Sequence, residues 1–104
     1  MDELYHTIES RKENPVENSY TNYLFSQGLD KICKKIGEEC AETIIAAKNG
    51  DPALLAGEVA DVLYHLLVLL SEQGIPWQEV QEELERRGQK IGNKKVFHNA
   101  DRNS

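Results

Sequence analysis

The sequence predicts an all-α fold, a bundle of four to five helices, and three observations carry that prediction. Apolar residues recur at helical spacing along most of the chain, capping residues, glycines and prolines punctuate it at intervals suited to helices, and no stretch alternates apolar with polar residues as a half-buried strand does. Leu4, Tyr5 and Ile8 give a weak helical signal that ends before the turn-rich Asn14-Pro15-Val16-Glu17-Asn18-Ser19. Ser19 is placed to cap a short helix from Tyr20 to Gln27, closed by Gly28. From Leu29 to Lys48 the residues Cys33, Ile36, Cys40, Ile44 and Ala47 fall within ~80° on a helical wheel, an amphipathic seam that Asn49-Gly50 ends. Asp51-Pro52 combines an N-cap with proline at the first helical position and opens a helix to about Gln73, just before Gly74. Pro76 starts a fifth helix with the stripe Trp77, Val80 and Leu84, and Gly88 is expected to stop it. The chain therefore divides into a domain over residues 1–88 and a polar, mobile tail over 89–104.

With 104 residues, 39% of them hydrophobic and 29% charged, there is material for one core. The balance of 18 acidic against 12 basic residues, a net charge of -6, argues against a nucleic-acid partner bound through a basic surface. It also repels anionic substrates, so any phosphate chemistry needs bound cations or a local basic cluster. Met1-Asp2-Glu3-Leu4 has neither the basic start nor the apolar stretch of a signal peptide, and a cytoplasmic protein is expected. The longest apolar run, Val62 to Leu70, has nine residues, less than half of the roughly 20 a membrane helix needs, so no membrane association is expected. Cys33 and Cys40 are about 10 Å apart along one helix, too far for a mutual disulfide, and both read as reduced and buried in the apolar seam. Without CxxC spacing they do not suggest structural zinc.

On the third helix Lys35, Glu38, Glu39 and Glu42 share a stripe almost opposite the apolar seam, which alone is what any solvated surface helix shows. The fourth helix is more informative, because its apolar residues from Val59 to Leu70 surround the whole circumference, as in a buried helix, and Glu58 and Asp61 sit inside that pattern. Buried carboxylates require a metal, a basic partner or a proton. Glu39-x-x-Glu42 and Glu58-x-x-Asp61 each set two carboxylates one turn apart, and two such helices side by side converge four hard oxygen donors, which suits Mg²⁺ or Mn²⁺. The competing reading is an ion-paired interior neutralised by Lys34, Lys35 or an arginine of the fifth helix. His65 falls near Glu58 on the wheel and either lines the site or is a hydrogen-bonded core histidine. A di-iron bundle needs Glu-x-x-His, which His65, four residues from Asp61, does not provide.

With these residues in view, the chain resembles the phosphoribosyl-ATP pyrophosphohydrolases of histidine biosynthesis, within the MazG-like all-α nucleotide pyrophosphohydrolases. The broader resemblance rests on Glu39, Glu42, Glu58 and Asp61, and the narrower one on "SYTNYLFSQGLDKICKKIGEECAETIIAAKNGD" and "EVADVLYHLLVLL", with Tyr64-His65 separating the family from other MazG-like enzymes. Cys40 departs from the small residue expected in "GEECAE", which bears on packing more than on chemistry. The resemblance implies a MazG-like bundle and Mg²⁺-dependent hydrolysis of 1-(5-phospho-β-D-ribosyl)-ATP to the AMP derivative and pyrophosphate, the second step of the pathway. It implies metal binding by Glu39, Glu42, Glu58 and Asp61. Glu38 or Glu39 would handle the attacking water. Tyr20, Thr21, Lys35, Lys48 and His65 are candidate substrate contacts, with Arg86 and Arg87 as further phosphate candidates. The cyclohydrolase that acts next is sometimes fused to the family domain; this chain is too short and too poor in cysteine to hold it, so a separate protein is expected to supply it. A house-cleaning hydrolase of nucleoside triphosphates is the rival enzyme, and a non-catalytic helical dimerisation scaffold is the rival outside enzymology. A homodimer is expected because the third and fourth helices need cover on more sides than about four short helices provide.

Overall fold

The computed structural model describes residues 1–91, and the described residues form five helices and no strand: α1 (Asp2–Glu13), α2 (Tyr20–Gln27), α3 (Leu29–Lys48), α4 (Pro52–Glu72) and α5 (Trp77–Ile91). Local chemistry sets the helix ends where the sequence predicts them. The Ser19 hydroxyl accepts from Asn22 N at 3.2 Å and Asp51 Oδ1 accepts from Leu54 N at 3.1 Å, so α2 and α4 both begin on side-chain caps. Gly28, at φ 88°, and Gly50, at φ 68°, turn the chain where an L side chain would be strained. One end differs: α5 runs through Gly88 to Ile91, because Arg86, Arg87 and Gln89 around it favour helix and an internal glycine costs only about 1 kcal/mol. Of the expected tail 89–104, residues 89–91 are thus helical and 92–104 lie outside the described residues.

α3 and α4 form an antiparallel hairpin, on whose open end α1 and α2 pack. The core of Ile8, Leu24, Ile32, Leu67 and Val68 lies there, with Ile36, Tyr64 and Trp77 packed around it. Polar contacts tie α1 in place: the buried Ser71 hydroxyl donates to Glu9, Lys12 Nζ donates to Ser71 O at 2.8 Å, and the Tyr5 hydroxyl donates to Ile75 O at 2.7 Å.

The hairpin corrects three expectations. α3 buries Ile32, Glu39 and Ala46, a line turned roughly 90° from the predicted seam, because α4 docks on that side. Cys33 and Cys40 are consequently free but exposed, with Ile44 64% exposed beside them. On α4 Asp61, read from sequence as lying inside the apolar pattern, is exposed; within one chain the helix buries His65, Leu67, Val68 and Ser71 and leaves Leu54, Val59, Leu63 and Leu66 exposed, the side for which the sequence expects a second copy. By length and composition α4 is also apolar enough to cross a membrane, with a mean hydropathy of 1.8 over its most apolar stretch, since flanking apolar residues extend the short run judged from sequence. Its Glu58 against α3 and its buried His65 and Ser71 fit the central helix of a bundle.

Candidate active site

The rotation of α3 turns Glu39 inward, to 8% exposure, directly toward α4. There one carboxylate oxygen from each of Glu39, Glu58 and Asp61 lies within 4.8 Å of the others. Glu39 Oε2 and Glu58 Oε2 are both enclosed and without a hydrogen-bond partner. An enclosed carboxylate oxygen without a donor is costly, and a hard divalent cation at this point would satisfy both, so the residues present fit Mg²⁺ or Mn²⁺. Glu42 is exposed at the rim. Partial burial first, then the neighbouring carboxylates of Glu42 and Glu39, hold the Glu58 carboxyl above its ordinary range.

Lys35 is the nearest cation, with Nζ 3.5 Å from Glu38 Oε1 and 3.6 Å from Glu39 Oε1. Burial works to lower its ammonium pKa, but Tyr20, Glu38 and Glu39 outweigh it and the net shift is upward. Ion pairing reaches only part of the cluster: Lys35 pairs with Glu39, Arg86 and Arg87 both pair with Glu83 on their own helix, and among the described residues no lysine or arginine pairs with Glu58 or Asp61.

An aromatic wall flanks the acids. His65 Nδ1 is 2.7 Å from the carbonyl of Asp61 and donates to it, which leaves Nε2 to accept from the Tyr20 hydroxyl at 3.0 Å. His65, 4% exposed, is therefore a hydrogen-bonded core residue that also borders the site, joining both readings of the sequence. The Thr21 and Tyr64 hydroxyls hydrogen-bond each other. Tyr20 stacks on Tyr64 with centroids 6.1 Å apart, and its phenol is pushed up by burial, with Lys35 opposing.

The structure thus brings Glu39, Glu42, Glu58, Asp61, Lys35, Tyr20 and His65 together, with Thr21 behind them and Glu38 exposed on the Lys35 side. Lys48 is not brought in within one chain, since it sits about 14 Å along α3 from Glu39 and on the opposite face. Tyr23, stacked on Tyr20, was not singled out from sequence, although its i, i+3 spacing to Tyr20 was a visible signal.

The sequence model of a family described as phosphoribosyl-ATP pyrophosphohydrolase matches residues 1–88. A phosphoribosyl-ATP pyrophosphatase of Bacillus cereus (strain AH820) is 58% identical over 88 residues, covering 85% of this chain and 82% of the relative. One from Clostridium novyi (strain NT) is 53% identical over 95 residues, covering 91% of this chain and 86% of the relative. The histidine biosynthesis bifunctional protein HisIE of Lactococcus lactis subsp. lactis (strain IL1403) is 54% identical over 96 residues, 92% of this chain but 45% of that longer protein. Every residue of the acid cluster and its aromatic wall lies within the matched span, and the chain belongs to the phosphoribosyl-ATP pyrophosphohydrolase family and is a hydrolase.

Proposed function

We propose that the enzyme hydrolyses 1-(5-phospho-β-D-ribosyl)-ATP to 1-(5-phospho-β-D-ribosyl)-AMP and pyrophosphate, the second step of histidine biosynthesis, with Mg²⁺ as cofactor and Mn²⁺ able to replace it. The carrying observation is the pair of enclosed, unpartnered oxygens on Glu39 and Glu58 with Asp61 beside them; the names of the relatives support the substrate.

In this reading Glu39, Glu58 and Asp61 hold the cation from two helices and Glu42 completes the set at the rim. Bound Mg²⁺ supplies positive charge to phosphate oxygens and acidifies water. Lys35 adds a positive charge on the substrate side of Glu39. Glu38, exposed and within reach of the same lysine, accepts a proton from the attacking water, a role Glu39 takes only if its second oxygen stays free of metal. Tyr20 and His65 hold the α2 wall against the acids, and Thr21 braces Tyr64 behind it. Lys48 acts on substrate only across a subunit boundary.

Dimerisation belongs to the same proposal: Ile44, Ile45 and Leu54 are 64%, 57% and 47% exposed at the closed end of the hairpin, and a second copy would cover them. The product would pass to a phosphoribosyl-AMP cyclohydrolase activity in the cytoplasm, a pairing supported by the bifunctional relative.

The test is pyrophosphate release from phosphoribosyl-ATP, ATP and dCTP across a Mg²⁺ titration. Mg²⁺-dependent turnover restricted to phosphoribosyl-ATP is expected. Preference for dCTP or ATP would assign a house-cleaning hydrolase, and absence of both turnover and saturable Mg²⁺ binding would leave the scaffold reading.

A further inference from the structure

Two lysines and two tyrosines form a strip that runs outward from the acids. Lys31 and Lys35 stand one turn apart on α3, and Tyr20 and Tyr23 one turn apart on α2. The tyrosine rings stack with centroids 6.0 Å apart and 24° between their planes, and each residue remains 44% exposed. Lys31 Nζ lies 6.0 Å from the Tyr23 ring centroid and, among the described residues, pairs with no carboxylate. Lys31, Lys35, Glu38 and Glu42 share one face of α3 within ~60°, so that face changes from basic to acidic along its length. Lys31 precedes Glu39 by about 12 Å along the axis.

An exposed tyrosine pair flanked by an unpaired lysine is suited to a flat ring that carries an anion. We propose that Tyr20 and Tyr23 are the stacking platform for the substrate purine and that Lys31 binds the phosphate of the ribosyl group beyond it, selecting a nucleotide phosphorylated on both sides of its base. The inference rests on the phosphoribosyl-ATP reading: with the triphosphate at the acids, the second phosphate projects along the strip toward Lys31. Lys35, next to Glu39, stays with the triphosphate end.

Calorimetric titration of the full chain in Mg²⁺ with phosphoribosyl-AMP, which keeps the distal phosphate, and with AMP, which lacks it, separates this from a structural role. The wild type should prefer phosphoribosyl-AMP by about tenfold or more. Lys31→Gln should erase most of that ratio and Lys31→Arg should keep it, whereas Tyr23→Ala should weaken both ligands by a similar factor, about five- to tenfold. Circular dichroism checks that each variant folds. A wild type with no preference, a preference intact in Lys31→Gln, or wild-type affinities in Tyr23→Ala would overturn the inference. Pyrophosphate release from phosphoribosyl-ATP is measured alongside: an active wild type with an unaltered Lys31→Gln ratio sinks the strip alone, while an inactive wild type sinks the substrate reading and the strip with it.

Discussion

Replacing Glu39 by Gln keeps the side-chain volume but removes one charge from the acid cluster, and the structure sets different expectations with and without Mg²⁺. In the metal-free wild type, Glu39 Oε2 and Glu58 Oε2 are enclosed without a donor. The glutamine amide can donate to Glu58, and one such hydrogen bond is worth about 1 kcal/mol. Against this, the variant loses the Lys35 pair at 3.6 Å, a partly exposed contact worth about 0.2–1 kcal/mol. The net change is about 0–1 kcal/mol in favour of the variant, which at about 4–8 °C per kcal/mol leaves its melting temperature equal to the wild type or up to about 8 °C higher. With Mg²⁺ at a hundredfold excess over Kd, binding adds about 2.7 kcal/mol to the wild type, or about 10–20 °C, and most of that should vanish in Glu39→Gln. Scanning calorimetry in EDTA and in saturating MgCl₂, at one fixed protein concentration because a dimer melts concentration-dependently, reads both effects. A variant that gains as many degrees from Mg²⁺ as the wild type would remove Glu39 from the ligand set. A metal-free variant melting well below the wild type would show that the two oxygens carry no penalty.

Glu42→Gln, Glu58→Gln and Asp61→Asn should each abolish Mg²⁺-dependent pyrophosphate release with the helical circular dichroism retained, whereas Glu17→Gln and Glu82→Gln, outside the cluster, should turn over like the wild type; equal losses at all five would point to charge or folding instead of a site. Because the Glu58 pKa is raised in the folded state, its contribution to metal-free stability is fully present below the ordinary value of 4.5 and is lost as pH rises through the folded value. Urea melts in EDTA between about pH 4 and 7 should therefore show the difference between wild type and Glu58→Gln shrinking toward the acid end, and a pH-independent difference would contradict the shift. Tyr20→Phe, which leaves His65 Nε2 without its phenol donor, should cost about 0.5–1.5 kcal/mol in the same melts, and no loss would mean that water replaces the hydroxyl freely. Ile44→Glu at the exposed end of the hairpin should convert a dimer to monomer in sedimentation at micromolar concentration, and an unchanged dimer would move the interface to another face.

Features that depend on a few neighbouring residues were readable without coordinates. Ser19 and Asp51-Pro52 begin helices because a side-chain oxygen accepts from the free N–H three residues on, and Gly28 and Gly50 end or turn them because glycine takes positive φ without strain. The pairing of Glu39 and Glu42 with Glu58 and Asp61 was likewise visible, since the helical period sets two side chains one turn apart whatever surrounds them. Gly88 was misread for the same local reason: a glycine stops a helix only when flanking residues do not carry it onward, and here they do.

The rotation of one helix against another was decided only by the tertiary structure. Periodicity fixes each residue's angle on its own helix and says nothing of the side on which the neighbour docks. The seam of Cys33, Cys40 and Ile44 therefore read as core, while α4 docks on Ile32, Glu39 and Ala46. That quarter turn carries Glu39 inside, leaves its Oε2 and that of Glu58 without donors, and exposes both cysteines. The contacts Tyr20–His65 and Thr21–Tyr64, 45 and 43 residues apart in sequence, depend on where α2 folds back over α4. The sequence by itself determined the helices and the acids they bear; burial and hydrogen bonding belong to pairs of surfaces, and only the packed chain brings those surfaces together.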